Sequence, residues 1–464
     1  MIDIHSAQIE YKRELILTGN INKLLFKFSM PAIVAMAVNA LYNVVDTIFV
    51  GRGVGSVAIA ALSIVLPLQL IMMALGLMIG VGSSSIICRA LGRDRKGTAI
   101  NTVGNAVIIG LILDAIFIAF AYAYLNKLLI FFGASSNVLP YAIDYSRIIL
   151  FGIFFITFAI SSSDIIRAEG NPRQGMIAMV IGAASNIVLD PILIFGFKMG
   201  VKGAAIATVI SQVLSSVYII FHFMSKRSIY RISREMFKIK FGIMKEILSI
   251  GFPSFIRQGS ASIIILIFNK VLVYYGNDLY IAIMGVGLRL LSLIQMPLIG
   301  IAQGFSTIVG FNYGAKFYQR VKKILYSAVG WTAVIGGVGF IIMMLFPAAV
   351  ISIFSNDIEF ISNGIFPLRV VIIFLPLIGI QILGGGLFQS IGKVVPALVI
   401  TISRQILFLI PAVILLPIFF GVDGVWIAVP VADFLSLIVT GIWIYKEVGV
   451  FNRLALSQTG SSGS

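Results

Sequence analysis

The chain has 464 residues, 59% of them hydrophobic and only 11% charged, with a mean hydropathy of +1.06, more apolar content than a water-soluble domain needs. The net charge of +16 sits in short loops between apolar runs, which argues against a nucleic-acid-binding face. One cysteine, Cys88, and two histidines, His5 and His222, exclude a disulfide framework and a Cys- or His-built metal centre.

Apolar runs of about twenty residues recur throughout, each long enough for a transmembrane helix. Lipid leaves a spanning chain only helices or closed barrels, and long unalternated apolar runs exclude the barrel. An all-α polytopic membrane protein is expected. Residues 1–24 are polar and charged through Arg13, and the first apolar run is of full length, so no cleavable signal is expected.

The first predicted span, 25–51, holds a single carboxylate, Asp46. Asn39, Tyr42 and Asp46 stand at i, i+3 and i+7 and share one helix face. A carboxylate at bilayer depth costs about 2.5–3.5 kcal/mol on insertion scales, so Asp46 is a functional candidate; the plainer alternative is an Asp solvated at a helix end. Pro31, fifteen residues earlier, either bends this helix or merely starts it.

Eleven further spans follow, at 58–91, 99–125, 141–166, 175–197, 203–224, 247–275, 280–312, 324–354, 361–390, 396–420 and 425–445. Basic residues crowd alternate loops: Lys12, Arg13 and Lys23; Arg89, Arg93, Arg95 and Lys96; Arg167 and Arg173; the 226–245 linker; then Lys316, Arg320, Lys322 and Lys323. The intervening loops are poor in base or acidic, as with Asp278, Asp357, Glu359 and Asp423. By the positive-inside rule both termini are expected in the cytoplasm of a plasma-membrane protein.

A shift of 222 residues superimposes landmarks of the two halves. Pro31 falls on Pro253, Ala60 on Ala282, Gly82 on Gly304, Gly92 on Gly314 and Gly170 on Gly392. Near the end the shift is 221, where GVKGAAIA from Gly200 meets GVDGVWIA from Gly421. Two homologous six-helix bundles are expected, related by a pseudo-two-fold axis along the membrane normal. The expected limits are a cytoplasmic segment 1–24, a first lobe 25–225, a basic linker 226–246, a second lobe 247–446 and a tail 447–464 ending in SQTGSSGS, which reads as an appended tag scar. Such a duplication suits a transporter whose halves rock about a central site.

Enzyme chemistry finds no footing: there is no Walker motif, no His/Cys cluster and no Gly-rich nucleotide turn. Gly384, Gly385 and Gly386 mark a hinge or close helix packing. The intramembrane acids singled out are Asp46, Asp114, Asp164 and Asp190, whereas the second half draws attention with bases, Arg257, Lys270, Arg289 and Arg404. Coupling chemistry is therefore expected in the first half. In the fifth span Met179, Asn186 and Asp190 form one helical stripe, and Pro191 disturbs the helix after it. In the sixth, Thr208 and Gln212 are four apart. Two carboxylates, an amide and a hydroxyl can enclose Na⁺ or share a proton; ordinary interhelical hydrogen bonding is the alternative for Asn186 and Thr208. Asp164 stands three residues before Arg167, a spacing for pairing or a gate contact. Arg257 and Gln258, near Pro253, either face a central cavity or pair with a first-half acid.

The motifs TGNINKLLFKFSMPAIVAM, VDTIFVGRG, IIRAEGNPR, GFPSFIRQGS and IGIAQGFSTIVGFNYGAKF together resemble the multidrug and toxic compound extrusion family, MATE, over nearly the whole chain. The resemblance implies twelve helices in two lobes and export of cationic amphipathic drugs in exchange for H⁺ or Na⁺, with no other cofactor. The spacing Pro31–Asp46, Asn186–Asp190 and Thr208 is similar to the prokaryotic DinF-type branch. That likeness implies a first-lobe cation or proton site at Asp46, Asn186, Asp190 and Thr208, and a substrate cavity bordered by Asn39, Tyr42, Met179, Gln212, Arg257 and Gln258. Asp164 departs from the amide or small polar residue expected there, and no acidic second-lobe site like that of the sodium-driven NorM-type branch is expected. A flippase for lipid-linked precursors is the alternative function. The expected partners are cationic drugs and membrane lipid, not nucleic acid, and the expected state is a monomer.

The loop charges generate a first prediction. A cysteine introduced in the 226–245 linker of a Cys88-free protein should resist a membrane-impermeant thiol reagent added outside intact cells and react after permeabilisation. Labelling from outside would invert the topology.

Overall fold

The computed structural model describes residues 4–225, 228–230 and 234–461. Among these the regular elements are all helical, as lipid requires of backbone that must satisfy its own hydrogen bonds. After α1 (Ile4–Thr18) the first half contains α2 (Ile21–Val54), α3 (Ser56–Gly92), α4 (Lys96–Phe131), α5 (Leu139–Phe151), α6 (Ile153–Ala168), α7 (Pro172–Pro191) and α8 (Gly200–Met224). The second half contains α9 (Phe241–Tyr275), α10 (Asp278–Gly314), α11 (Tyr318–Leu345), α12 (Pro347–Ser352), α13 (Ile358–Val371), α14 (Leu375–Ser390), α15 (Val394–Ile402), α16 (Ile410–Phe420) and α17 (Val422–Ser461). Among the described residues, ten helices are long and apolar enough to cross a membrane, and counting each of the bent pairs α5/α6 and α13/α14 as one span brings the number to twelve. Large apolar side chains such as Leu111, Ile116 and Phe120 on α4 stay exposed, as a lipid-facing helix surface requires.

The bends recur at equivalent places in the repeat, 51° between α5 and α6 and 48° between α13 and α14. Gly152 stands at the first, and Pro376 opens the helix after the second. The fifth span leaves α geometry at Pro191, passing into a π segment at Ile192–Gly196, and the eleventh contains a π segment at Ser403–Leu409.

Two stretches exceed the sequence expectations. The 1–24 segment contains α1, which periodicity alone left unassigned because its residues are largely polar. The tail expected from 447 is not a loose end: α17 runs unbroken to Ser461. It is held there by Glu447, which accepts from Lys393 Nζ at 2.6 Å, and by the fully buried Phe451, stacked on Tyr318.

By packing, the chain forms two units: Met1–Leu15 with Val34–Gln258, and Ile16–Ile33 with Gly259–Ser464. The packing thus departs from the covalent repeat at α2 and α9, whose N-terminal portions each join the unit built mainly from the other half. Glycines explain the exchange. In the first unit, a Cβ at Gly82 would lie 2.1 Å from the Ile247 carbonyl oxygen, and one at Gly251 would lie 1.8 Å from that of Met78. In the second, Gly304 lies against Ser29 and Gly300 against Ile33. Gly82 and Gly304 are the same position in the repeat, so each half presents the same notch for backbone-to-backbone contact. Within continuous α14, a Cβ at Gly384 would meet Thr440 Cγ2 at 2.5 Å and one at Gly386 would meet Ser306 Oγ at 3.0 Å, whereas one at Gly385 would meet nothing within 4 Å.

The first unit also anchors the linker. Asn105 donates to the Lys238 carbonyl at 3.1 Å and accepts from Lys240 N at 2.9 Å. Glu169, fully buried at the end of α6, bonds Asn171 Nδ2 (2.7 Å), His222 Nε2 (2.5 Å), Ser228 Oγ (3.0 Å) and the Ile229 amide (3.0 Å). Arg89 pairs with Glu246 at 2.9 Å. A buried carboxylate is tolerated when its lone pairs are filled in this way.

Gly251→Ala should therefore destabilise the protein by about 1–3 kcal/mol through backbone overpacking, read as a lower thermal unfolding midpoint in detergent. Gly285→Ala, whose Cβ would meet nothing within 4 Å, should leave the midpoint unchanged or raise it. Equal effects of the two substitutions would contradict the notch.

Candidate functional site

The first unit gathers most of the singled-out polar residues. Asp46 on α2 and Asp190 at the end of α7 bring their carboxylates within hydrogen-bonding reach of each other. Asn186, one turn before Asp190, donates from Nδ2 to Asp190 Oδ1 at 3.3 Å and to Thr208 Oγ1 at 3.4 Å. Thr208 in turn donates to the Ala204 carbonyl at 3.0 Å, the usual escape of a hydroxyl inside a helix. Asn186, Asp190 and Thr208 are buried and Asp46 is half-buried.

Local sequence produces this geometry. Pro191 has no N–H to offer the carbonyl of Ile187, and the chain continues as the π segment Ile192–Gly196. Gly53 on α2 and Gly203 on α8 let both helices close on that segment: a Cβ at Gly53 would lie 2.3 Å from Ile194 Cγ2, and one at Gly203 would lie 3.0 Å from the Leu193 carbonyl. The end of α2 is thereby drawn to the end of α7.

Four buried oxygens in this region have no hydrogen-bond partner: Asp46 Oδ1, Asn186 Oδ1, Asp190 Oδ2 and Gln212 Oε1. The first three belong to side chains that touch one another. Two carboxylates in contact cannot both hold a full negative charge without a proton or a cation between them. The donor set is hard oxygen throughout, which fits H⁺ or an alkali cation; among the described residues no group of three His, Cys, Asp or Glu side chains could hold a metal ion.

Tyr42 stands beside both carboxylates, as does Tyr145 on α5, whose hydroxyl accepts from Gln69 Nε2 at 3.3 Å. Tyr145 and Gln69 escaped the sequence reading. Gln69 was detectable as an isolated amide within an apolar span, whereas nothing local distinguishes Tyr145 from the other aromatics of its segment. Asn39, Met179 and Gln258 are half-buried. Gln212 Oε1 reaches the α5/α6 bend, where a Cβ on Gly152 would lie 2.8 Å away.

The remaining acids have other employment. Asp114 accepts from Thr157 Oγ1 at 3.0 Å. Asp164 pairs with Arg167 at 3.0 Å, and Arg257, an exposed side chain, carries its charge near the same carboxylate. The second unit contains a buried acid that the half-by-half comparison passed over: Asp433 on α17, which accepts from Arg404 Nε at 2.7 Å. Pro31 lies inside α2 with a helical stretch from Ile21 before it, so it does not start the helix, and the packing changes unit just after it, between Ile33 and Val34.

The MatE family profile matches the chain twice, over residues 31–192 and 253–414, and the two matches are displaced by 253 − 31 = 222 residues, the register of the internal repeat. The multidrug export protein MepA of Staphylococcus aureus (strain MRSA252) is 27% identical over 91% of this chain and 93% of its own. Among solved structures, a MATE protein in a bent conformation superimposes with a TM-score of 0.90 at 29% identity, covering 96% of this chain and 98% of that one. A transporter of the MOP superfamily from Pyrococcus furiosus gives 0.88 at 30% identity, covering 94% and 98%. With a duplicated six-span plan, intramembrane carboxylates in place of a catalytic constellation and a family match in both halves, this chain belongs to the MATE family of multidrug efflux transporters.

Proposed function

We propose that the protein is a secondary antiporter that expels cationic amphipathic compounds in exchange for H⁺ or Na⁺, with the ion taken at Asp46, Asn186, Asp190 and Thr208. The contact between the Asp46 and Asp190 carboxylates carries this reading. An inbound ion relieves their repulsion, and an organic cation arriving nearby competes for the same negative charge. Ion and substrate then favour different states of one pocket, which is the thermodynamic content of exchange. Asn39, Tyr42, Met179, Gln212 and Gln258 border the substrate on this reading, and Arg257 closes the margin through Asp164. No other cofactor is required, the transporter works as a monomer, and the basic loops and both termini face the cytoplasm.

The decisive experiment is efflux of a cationic dye from proteoliposomes under an imposed pH gradient or an imposed Na⁺ gradient. One gradient should drive transport. If neither does, exchange is wrong. Asp46→Asn and Asp190→Asn should each reduce driven efflux to the level of protein-free vesicles while insertion and thermal stability are kept, because neutralising an intramembrane carboxylate eases burial. Wild-type efflux in either variant at matched reconstitution removes that residue from the site.

Pro31 is the proposed hinge. Asp46 lies fifteen residues on, about 22 Å along a straight helix at ~1.5 Å per residue, so a modest bend at Pro31 moves the carboxylate appreciably. Among the solved structures this chain resembles, one is of a MATE in the bent conformation and one of a MATE in the straight conformation, and coupling needs two states. Pro31→Ala should leave dye affinity within about twofold of wild type and cut driven efflux by about tenfold. Unchanged efflux alongside unchanged affinity would show that Pro31 does not couple.

A further inference from the structure

Within the second unit a cleft of about 330 Å³ opens between the C-terminal part of α9, α10, α13, the π segment Ser403–Leu409 and α17. Its place in the repeat is informative. Shifted by 222 residues, Asn39, Tyr42, Asp46 and Gln69 become Ala261, Ile264, Phe268 and Leu291, and shifted by 221, Thr208 becomes Val429; all five replacements line the cleft. The cleft is therefore the second unit's version of the first unit's ion site, with the polar positions made apolar.

One charge has been put back from elsewhere. Arg404 is the only charged residue among the described residues lining the cleft, and it lies in the π segment, which has no counterpart at the same register in the first half. Asp433 holds it through Nε, and the Arg404 side chain remains 29% exposed while that of Asp433 is 2% exposed. The cleft thus sees the cation of the pair and not the anion. Its terminal nitrogens, two parallel donors in a fixed fork, are not used by Asp433. Trp426, which also lines the cleft and is 1% exposed, has an Nε1–H with no acceptor. Gln405 is already tied to Ser260.

A pocket of this size with apolar walls and a guanidinium fork matches a drug-sized molecule with one anionic acceptor group. Phe268, Phe360 and Trp426 give the walls aromatic faces and edges suited to a ring. We propose that this cleft binds aromatic carboxylates, with the carboxylate on Arg404 and the ring among Phe268, Phe360 and Trp426. It is a second ligand site, independent of the paired carboxylates, and it extends recognition beyond cations to acidic and zwitterionic aromatic compounds.

The test is calorimetric titration of the full-length protein in lipid nanodiscs with 2-naphthoate, its neutral amide 2-naphthamide, and laurate, empty discs being subtracted. Wild type should bind the naphthoate about tenfold more tightly than the amide, the discrimination expected of a charge-assisted hydrogen bond. Gly287 lines the cleft and a Cβ there meets nothing within 4 Å, so Gly287→Leu can fill the cleft without displacing protein atoms and should weaken both ligands. Arg404→Gln alone would strand Asp433, so it is combined with Asp433→Asn; the double variant should lose the preference for the carboxylate and keep the amide. Equal binding of acid and amide by wild type, a preference that survives the double variant, or wild-type binding by Gly287→Leu overturns the proposal. Laurate binding as tightly as naphthoate would assign the cleft to membrane fatty acids and overturn it as an aromatic site. Asp46→Asn should leave all these affinities unchanged, so failure of the ion site does not read as failure of this one.

Discussion

The contact between the carboxylates of Asp46 and Asp190 is the constraint to which the first unit is fitted. Left alone, two acids pressed together inside a low-dielectric protein would push their helices apart or take up a proton. Here Gly53 lets the end of α2 pack directly on Ile194, and Gly203 on α8 lets that helix pack on the backbone of Leu193 in the same π segment, so the burial of both contacts opposes separation. Asn186 fills one oxygen of Asp190 and leaves the other, Oδ2, with no donor. The packing therefore holds the two carboxyl groups together, and on the proposed function the compensating positive charge, H⁺ or Na⁺, comes from outside the protein.

The same half must also keep its other charges away from that pair. Asp164 is given Arg167 and the nearby charge of Arg257, and Glu169 is surrounded by four donors. Both are locally neutralised or fully hydrogen-bonded, which is how buried charge is made tolerable in a membrane protein. Asp164 and Asp433 also keep one oxygen without a donor, but Asp164 has Arg167 at 3.0 Å and Asp433 has Arg404 at 2.7 Å, so what sets Asp46 and Asp190 apart is that each has another carboxylate beside it in place of a cation.

Much of this was legible in the chain, because the signals concerned are local or periodic. Twelve apolar runs, the 222-residue register and the helical stripes Asn39–Tyr42–Asp46 and Met179–Asn186–Asp190 depend on spacing alone. What escaped depends on contacts between distant segments. Tyr145 and Gln69 meet across 76 positions, and Glu169 receives donors from residues more than fifty positions away. Asp433 was overlooked for a different reason: its partner Arg404 was read as a base in a basic half, and only the 2.7 Å contact identifies the two as one neutral unit. The assignment of the first parts of α2 and α9 to opposite units was also hidden. Its signal, glycines at 82, 251, 300 and 304, looks like ordinary small-residue content until the facing backbone is known.

Duplication accounts for how one fold can hold two dissimilar pockets. The structural glycines kept their register across the repeat, since Gly82 and Gly304 carry the same backbone crossing in each half and any Cβ there would separate the helices. The pocket positions carry no such crossing. An unpaired Asp at position 268 would add the insertion cost of a carboxylate, about 2.5–3.5 kcal/mol. Phe268 in place of Asp46 and Val429 in place of Thr208 remove that cost and leave an apolar cavity. An apolar cavity alone would discriminate poorly, because surface burial carries no direction. Arg404, held by Asp433 and turned into the cleft by a π segment, restores direction with a single charge. The two halves therefore share one scaffold of helix crossings, while the positions of Asp46 and Thr208 are taken in the second half by Phe268 and Val429, which pack with its hydrophobic core, and the charge at the cleft comes from Arg404 instead.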